Sequence, residues 1–354
     1  MYKKMVTKTF KFRIKDSASG KKLDRLSKAV NFVWNYCNEI SLKALQDREL
    51  WLSKYDLNKL TAGSSKELGL HSQTINAVSE EFATRRKQFK KKKLRWRGKR
   101  SLGWIPFKKS GIKICEDKVY YQGECFKLFL SREIPDNYKC GSFSQDARGR
   151  WYFNIVVMVE EKIIAKDAEV GIDLGLKDLA TLSNGKKYGA NRYYRKYQRI
   201  LALSQKDGKK RRIKNIHAKI KNLRMDNNHK ISHEITRDFN FIAVGDASSS
   251  KLKKTNMAKS VSDAGWSQLR TFLDYKSNAR GGLYVPTNEA GTTQGCSNCY
   301  AYGEAAGAPK GRKGLGIREW SCKVCGAVHD RDINSAVNIL RIGRNTLLPS
   351  GHKG

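Results

Sequence analysis

Two cysteine pairs, Cys296/Cys299 and Cys322/Cys325, are separated by 22 residues and followed at once by His329-Asp330-Arg331-Asp332-Ile333-Asn334-Ser335-Ala336-Val337-Asn338. Each Cys-x-x-Cys can fold into a knuckle that turns two thiolates toward one ion, and two knuckles close a tetrahedral site. The spacing is that of a zinc ribbon, if slightly long. A closed four-cysteine site leaves no open position, so the expected Zn²⁺ is structural. It holds the intervening loop and places what comes next. What comes next is an acidic run opening a helix. Asp330 suits a helix N-cap, whereas Asp332, followed on one face by Asn334 and Asn338, reads as a metal-binding carboxylate.

Charge narrows the partner. The chain carries 71 basic against 33 acidic residues, a net +38 over 354 residues. That excess exceeds what solubility needs and makes a strong attractor for polyanions. No apolar run of about 18 residues and no signal-peptide core is present, so a membrane is not the expected partner. Nucleic acid is. The other cysteines, Cys37, Cys115, Cys125 and Cys140, are scattered, and Cys37 continues the helical apolar series Leu23, Leu26, Val30, Val33. They form no disulfide framework, which fits a reducing, cytoplasmic compartment.

The hydrophobic period divides the chain. Phe10, Phe12 and Ile14 alternate with Lys11, Arg13 and Lys15, a strand with one basic face. Residues 20–92 follow a helical pattern, with a stripe through Phe32, Val33 and Trp34 expected to pack on a helix near Thr74–Phe89. This block ends in Arg85-Arg86-Lys87-Gln88-Phe89-Lys90-Lys91-Lys92-Lys93-Leu94-Arg95-Trp96-Arg97. Basic residues interleaved with aromatics suit phosphate contact and base stacking, so Arg85, Arg86, Lys90, Lys91, Lys92, Lys93, Arg95, Trp96 and Arg97 are candidate nucleic-acid contacts. Between 108 and 160 the period is two, with Phe126, Leu128 and Leu130 facing one way and Trp151–Val159 a strong strand after the turn at Asp146–Gly149. These strands predict a small barrel or sheet interrupted by the helical block.

A second region opens at Val170-Gly171-Ile172-Asp173-Leu174-Gly175. Three strands are expected there, then two long basic helices over 192–238 hinged near Asp207-Gly208. The short strand Phe241-Ile242-Ala243-Val244 follows, then a helix over Gly265–Arg280, the strand Gly282–Val285, the cysteine loop and a last helix from about 332. This β-β-β-α-β-α-β-α order is the layout of a ribonuclease-H-like domain, in which the first strand lies beside the fourth and the fourth beside the fifth. Such a sheet can hold divalent ions between carboxylates at strand ends and on the last helix. Hard Mg²⁺ needs only a few oxygen ligands. Asp173 ends the first strand, between Gly171 and Gly175, which would admit a phosphate backbone. At the fourth strand Gly245 stands in phase with the core where a carboxylate is wanted, and Asp246 is one residue off and faces the other way. Glu289, following the fifth strand, has the reach to replace it. Both Glu289 and Asp246 stay open as the third ligand.

Phe32-Val33-Trp34-Asn35, Gly171-Ile172-Asp173-Leu174-Gly175, Thr292–Cys299 and Cys325–Leu340 together resemble the TnpB (OrfB) family of insertion-sequence proteins, relatives of type V CRISPR effectors. The resemblance implies an α/β multidomain protein. Its parts would be a wedge-like β-barrel over 1–18 and 101–165, and a helical recognition domain over 19–100. A RuvC-like, RNase H-like nuclease domain would cover 166–290 and 327–342, with a zinc ribbon over 291–326 and a tail over 343–354. It implies a Mg²⁺-dependent RNA-guided DNA endonuclease whose partners are guide RNA and target DNA. Asp173 and Asp332 match the family's first and last catalytic aspartates. The usual middle glutamate is absent at Gly245-Asp246-Ala247, and a glutamate relocated near the cysteine motif, as in some members, matches Glu289. The alternative implied is a nuclease-dead, RNA-guided DNA-binding repressor. Lys251 in the loop after the fourth strand, and Lys310, Arg312, Lys313 and Arg318 in the cysteine loop, are further expected nucleic-acid contacts.

Overall fold

A computed structural model describes residues 3–15, 17–163, 167–246, 257–309 and 313–346. Lys251, Lys310, Arg312, the side chain of Lys313 and residues 347–354 lie outside the described residues. The chain divides into two compact units, Val6–Val159 and Glu160–Gly354 with Met1–Met5. No helix of the described residues is long and apolar enough to cross a membrane.

In the first unit β1 (Lys3–Ile14) is followed by α1 (Ser17–Arg48), α2 (Lys54–Leu60), α3 (Ser65–Leu68) and α4 (Ser72–Phe89). Then come β2 (Trp104–Lys108), β3 (Lys113–Cys115), β4 (Lys118–Tyr121), β5 (Glu124–Phe129), β6 (Cys140–Gln145) and β7 (Trp151–Lys162). The strands form one sheet in the order β2-β6-β7-β1-β5-β4-β3. Where a barrel was one expectation, β2 and β3 stand at the two edges, with no ladder joining them among the described residues. Alternation buries Phe12, Ile14, Phe126, Leu128, Phe153, Ile155 and Val157 on one face, while Leu130, just past β5, is exposed. On α1 the series Leu23, Leu26, Val30, Val33, Cys37 is buried, and Trp34 meets Phe82 of α4 edge-on at 5.3 Å. Phe32 departs from the expected stripe. At 61% exposure it falls on the opposite side of the helix from Val30 and Val33.

In the second unit β8 (Glu169–Asp173), β9 (Asp178–Leu182) and β10 (Lys187–Gly189) precede α5 (Tyr193–Lys206) and α6 (Lys210–Asp238). They are followed by β11 (Phe241–Gly245), α7 (Ala258–Ala264), α8 (Trp266–Ala279) and β12 (Leu283–Thr287). Last come the short hairpin β13 (Glu319–Ser321) and β14 (Val328–Asp330), and α9 (Arg331–Asn345). The main sheet runs β10-β9-β8-β11-β12, so the first strand does lie beside the fourth and the fourth beside the fifth. β11 is parallel to both neighbours, pairing Val244 with Ile172 and Gly245 with Thr287. It is buried throughout, as a central parallel strand must be. The helix expected over Gly265–Arg280 is α8; α7 precedes it, and Gly265, at φ 68°, separates the two.

The last helix lies directly on the sheet. A Cβ at Gly171 would stand 2.0 Å from Ala336 O and 2.7 Å from Leu340 N. Gly171 therefore serves the seating of α9 on β8, not the approach of a phosphate. Likewise a Cβ at Gly175 would meet Asp178 O at 2.6 Å, so this glycine serves the β8–β9 turn.

Candidate active site and metal centre

The register settles which strand ends are neighbours. Ile172 pairs with Val244, so Asp173 at the end of β8 stands level with Gly245 at the end of β11, and Gly245 pairs onward with Thr287. Glu289 is two residues past Thr287. Its side chain turns back over β11: a Cβ built on Gly245 would lie 2.5 Å from Glu289 Oε2 and 3.5 Å from Glu289 Cβ. The glutamate thus fills the space that a side chain at position 245 would need, and a glycine there makes the room. Asp246, one residue on, is exposed. The strand period sends it away from the face that Gly245 would present.

Asp173 and Asp332 come together because α9 is pressed onto β8. Asp330 is the N-cap, its Oδ1 accepting from the backbone N–H groups of Asp332 and Ile333 at 3.0 Å each, and its Oδ2 accepts from Lys187 Nζ at 2.6 Å. That leaves Asp332, in the first turn, to face the sheet. Burial first, and then the charges of Asp332 and Glu289, push the Asp173 carboxyl up to about 7, against the opposing effects of Ser335 and Arg331. Three carboxylates from three elements therefore act on one another, and the cluster carries more negative charge than it comfortably holds.

A hydrogen-bond chain fixes their spacing. Ser335 hydrogen-bonds Asp173 and lies 2.9 Å from the Thr292 hydroxyl, which donates to the Glu289 carbonyl, also at 2.9 Å. Asn338 donates to the carbonyls of Thr292 and Gly295 at 2.9 and 2.8 Å. Asn334 donates to Gly295 O at 2.8 Å and accepts from the backbone N–H of Ser297, inside the first cysteine knuckle, at 2.9 Å. The two asparagines expected on the face of Asp332 thus point at the turn carrying Glu289 and at the cysteine loop. Their sequence signal was the spacing 332, 334, 338; Thr292 and Ser335 carried none.

The four cysteines converge. The ligand atoms of Cys296, Cys299, Cys322 and Cys325 lie within 4.8 Å of one another, with Cys296–Cys325 at 3.7 Å and Cys299–Cys322 at 3.6 Å. A tetrahedron with Zn–S bonds of about 2.3 Å has edges of about 3.8 Å, so the cluster has the size of a zinc site. His329 Nε2 is 3.0 Å from Cys296 Sγ, and its ring packs tilted against Trp320 at 4.8 Å, a neighbour the spacing did not announce. Arg318, expected as a DNA contact, instead reaches Asp332, with Nη1 at 3.0 and 3.2 Å from its two oxygens.

The basic stretch of the first unit divides in use. Trp34 Nε1 donates to Arg95 O, Asn35 brackets Arg97, and Asn38 brackets Leu94, so α1 pins residues 94–97 as a strap. The strap borders a cavity of about 1150 Å³ lined by Phe89, Lys91, Lys93, Arg95, Trp96 and Trp104 among others. Lys90, Lys91, Lys92, Lys93 and Arg95 are exposed, as is Trp96 at 44%, and Arg85 pairs with Glu81 at 2.6 Å on the surface. Arg86 differs from the expectation. It is 2% exposed, its guanidinium lying over the Trp51 ring at 4.3 Å, because its position on α4 faces α1. Arg97 is half-buried against Asn31 and between the Trp34 and Trp104 rings.

Residues 266–339 match the family model of the Cas12f1-like TNB domain, and residues 154–258 match OrfB_IS605, described as "Probable transposase". The "Putative RNA-guided DNA endonuclease" of Streptomyces pristinaespiralis is 33% identical over 232 residues, 60% of this chain and 55% of that protein. The "Putative RNA-guided DNA endonuclease InsQ" of Escherichia coli K12 is 28% identical over 247 residues, 61% and 60% of the two chains. The "TnpB-like protein L770" of Acanthamoeba polyphaga mimivirus is 27% identical over 263 residues, 63% and 48%. The chain therefore spans about half the length of the curated relatives it matches. A solved chain titled "Cryo-EM structure of the Cas12f1-sgRNA-target DNA complex" aligns over 95% of this chain and 99% of its own at 13% identity and a TM-score of 0.39, too loose a superposition to speak for the fold. The family matches and the curated relatives bear out the resemblance stated from the motifs.

Proposed function

From a chain that resembles the TnpB family, we propose an RNA-guided DNA endonuclease that hydrolyses phosphodiester bonds with Mg²⁺ at Asp173, Glu289 and Asp332. The observation that carries this reading is the place of Glu289 over Gly245, beside Asp173, where the strand itself offers no carboxylate. An all-oxygen donor set suits a hard cation. The raised Asp173 carboxyl supports the fit, since a divalent ion would relieve the crowding of negative charge. When bound, Mg²⁺ supplies Lewis-acid polarisation of a phosphate oxygen and a more acidic water. The chain's part is to hold the three carboxylates. Ser335 orients Asp173, Thr292 and Asn338 anchor the turn of Glu289, and Asp330 caps the helix that presents Asp332. The surrounding architecture is read as RuvC-like, with Zn²⁺ in the four-cysteine cluster as a structural ion. Guide RNA and target DNA are the proposed partners. Base pairing would carry the sequence, and the exposed Lys90–Trp96 stretch would contact backbone and bases.

RNA that co-purifies with the protein supplies the guide sequence. A plasmid carrying the matching target should be cut in Mg²⁺, and intact plasmid despite tight binding would sink the nuclease reading. Within that assay Glu289→Ala should slow cutting by about a hundredfold or more, while Asp246→Ala should stay within about twofold of the parent. Normal cutting by both variants would overturn the proposed carboxylate set.

A further inference from the structure

Beside β9 and the foot of α5, well away in sequence from both Glu289 and the cysteines, the second unit holds a cavity of about 390 Å³. Its size is that of a small-ligand pocket. Lys177, Arg192, Arg195 and Lys259 line it, and none of the four is ion-paired among the described residues. Among the described lining residues there is one carboxylate, Asp263, whose two oxygens accept from the backbone N–H of Tyr194, at 3.0 and 2.9 Å. Asp263 keeps its charge in those hydrogen bonds, but with Arg224 the described lining sets five cations against it, so the cavity is net positive.

Two further features say what kind of anion fits. Tyr193 and Tyr194 are half-buried along the same wall, which offers ring surface for a planar group. Asn228, fully buried, also lines the cavity. Its Nδ2 donates to Gln268 Oε1 at 3.2 Å, but its Oδ1 has no hydrogen-bond partner. A buried acceptor without a donor is costly, and because this oxygen is closed off in the wall a ligand N–H would satisfy it only after a side-chain shift opens it. A phosphate would meet the cations, a flat ring the tyrosines and a ring N–H the amide oxygen. One nucleotide has all three.

We propose that this cavity binds a single unstacked nucleotide of a nucleic-acid strand. Asp173, Glu289 and Asp332 do not line the cavity, although Leu176 and Lys177 follow Asp173 closely, and its occupancy does not depend on whether the protein cuts DNA. Stacking on tyrosine with phosphate held by exposed cations is how single strands are gripped without strict sequence preference. A base still inside a duplex could not present its face and its N–H here, so the strand must be locally single.

The test is photocrosslinking on the full chain, freed of bound nucleic acid in high salt. One arm uses a short oligouridine carrying 4-thiouridine, the other a short oligothymidine carrying 5-iododeoxyuridine, with adducts mapped by peptide mass spectrometry. The expected result is an adduct on Tyr193 or Tyr194 in at least one arm, and the arm that gives it tells RNA from DNA. Lys177→Glu with Arg195→Glu, both at exposed positions, should cut the yield of that adduct about tenfold while adducts on the Lys90–Trp96 stretch persist. No adduct at either tyrosine in both arms would overturn the proposal. So would a tyrosine adduct of unchanged yield in the charge-reversed variant.

Discussion

The second unit holds two clusters of side chains suited to metal ions, and they are built on opposite principles. The four cysteines come from two tight knuckles, and their sulfurs already stand at zinc-site distances. The three carboxylates come from β8, the turn after β12 and the first turn of α9, and are held together by packing and by hydrogen bonds from Ser335, Thr292 and Asn338. One cluster is close to self-sufficient. The other exists only while the sheet register, the seating of α9 on Gly171 and the turn at Thr292 all hold. The clusters are also joined, because Asn334 bonds both Ser297 in the knuckle and Gly295 in the turn. A difference in the kind of support should give a difference in the kind of failure.

The largest effect expected is from the thiolate side. Cys322→Ser should lose the bound zinc, and with it the order of the whole insert, since structural zinc contributes apparent binding energies of about 10–16 kcal/mol in small zinc domains. Metal content and limited proteolysis report this directly. Cutting should fall too, through Ser297 and Asn334. Wild-type cutting in a zinc-free variant would break the link between the clusters.

Next in size is the charge strain in the carboxylate cluster. The Asp173 carboxyl is raised in the fold from 3.8 to about 7. A raised carboxyl favours the folded state fully below pH of about 4 and loses that contribution as pH climbs through about 7. Metal-free protein should therefore melt lower at pH 8 than at pH 5 from this group. Asp173→Asn should flatten that slope and raise the melting temperature at pH 8 while abolishing cutting. Mg²⁺ should restore stability at pH 8 to the parent and not to the variant. A steeper slope in the variant would contradict the crowding of charge.

A smaller effect is expected at Asn338. Asn338→Ala takes the close donor from the buried carbonyl of Thr292, while Gly295 O keeps Asn334, at about 1–3 kcal/mol, read by denaturant unfolding. Zinc content should be unchanged, but Mg²⁺ affinity should weaken because the turn of Glu289 is loosened. Unchanged Mg²⁺ affinity would show that the turn needs no such anchor.

The two clusters also differed in how well they could be read from sequence. Cysteine spacing is local chemistry, so the thiolate site and its ligands were legible outright. Strand periodicity put Asp173 at a strand end and Gly245 in phase with the core, and the pairing of β8, β11 and β12 follows from the order of elements. The side chain that fills the gap was harder to name. Whether Glu289 or Asp246 does so depends on a turn's backbone, which no period encodes. Arg318 bridging Asp332, Arg86 turned inward and Phe32 turned outward were illegible for the same reason: each depends on which neighbour occupies a face, not on the residue's own pattern.

The most direct test of the relocated carboxylate is to move it back. Gly245→Glu alone should be inactive and destabilised, because its Cβ would press within 2.5 Å of Glu289 Oε2. Glu289→Ala alone should be inactive but folded. The double variant removes the contact with Glu289 Oε2, leaves Ile339 Cδ1 at 3.2 Å to give by a few tenths of an ångström, and returns a carboxylate to the strand, so it should regain Mg²⁺ binding and measurable cutting of a guide-matched plasmid. A double variant that folds and binds guide RNA yet remains as dead as Glu289→Ala would contradict the claim that Glu289 stands in for the missing residue of β11.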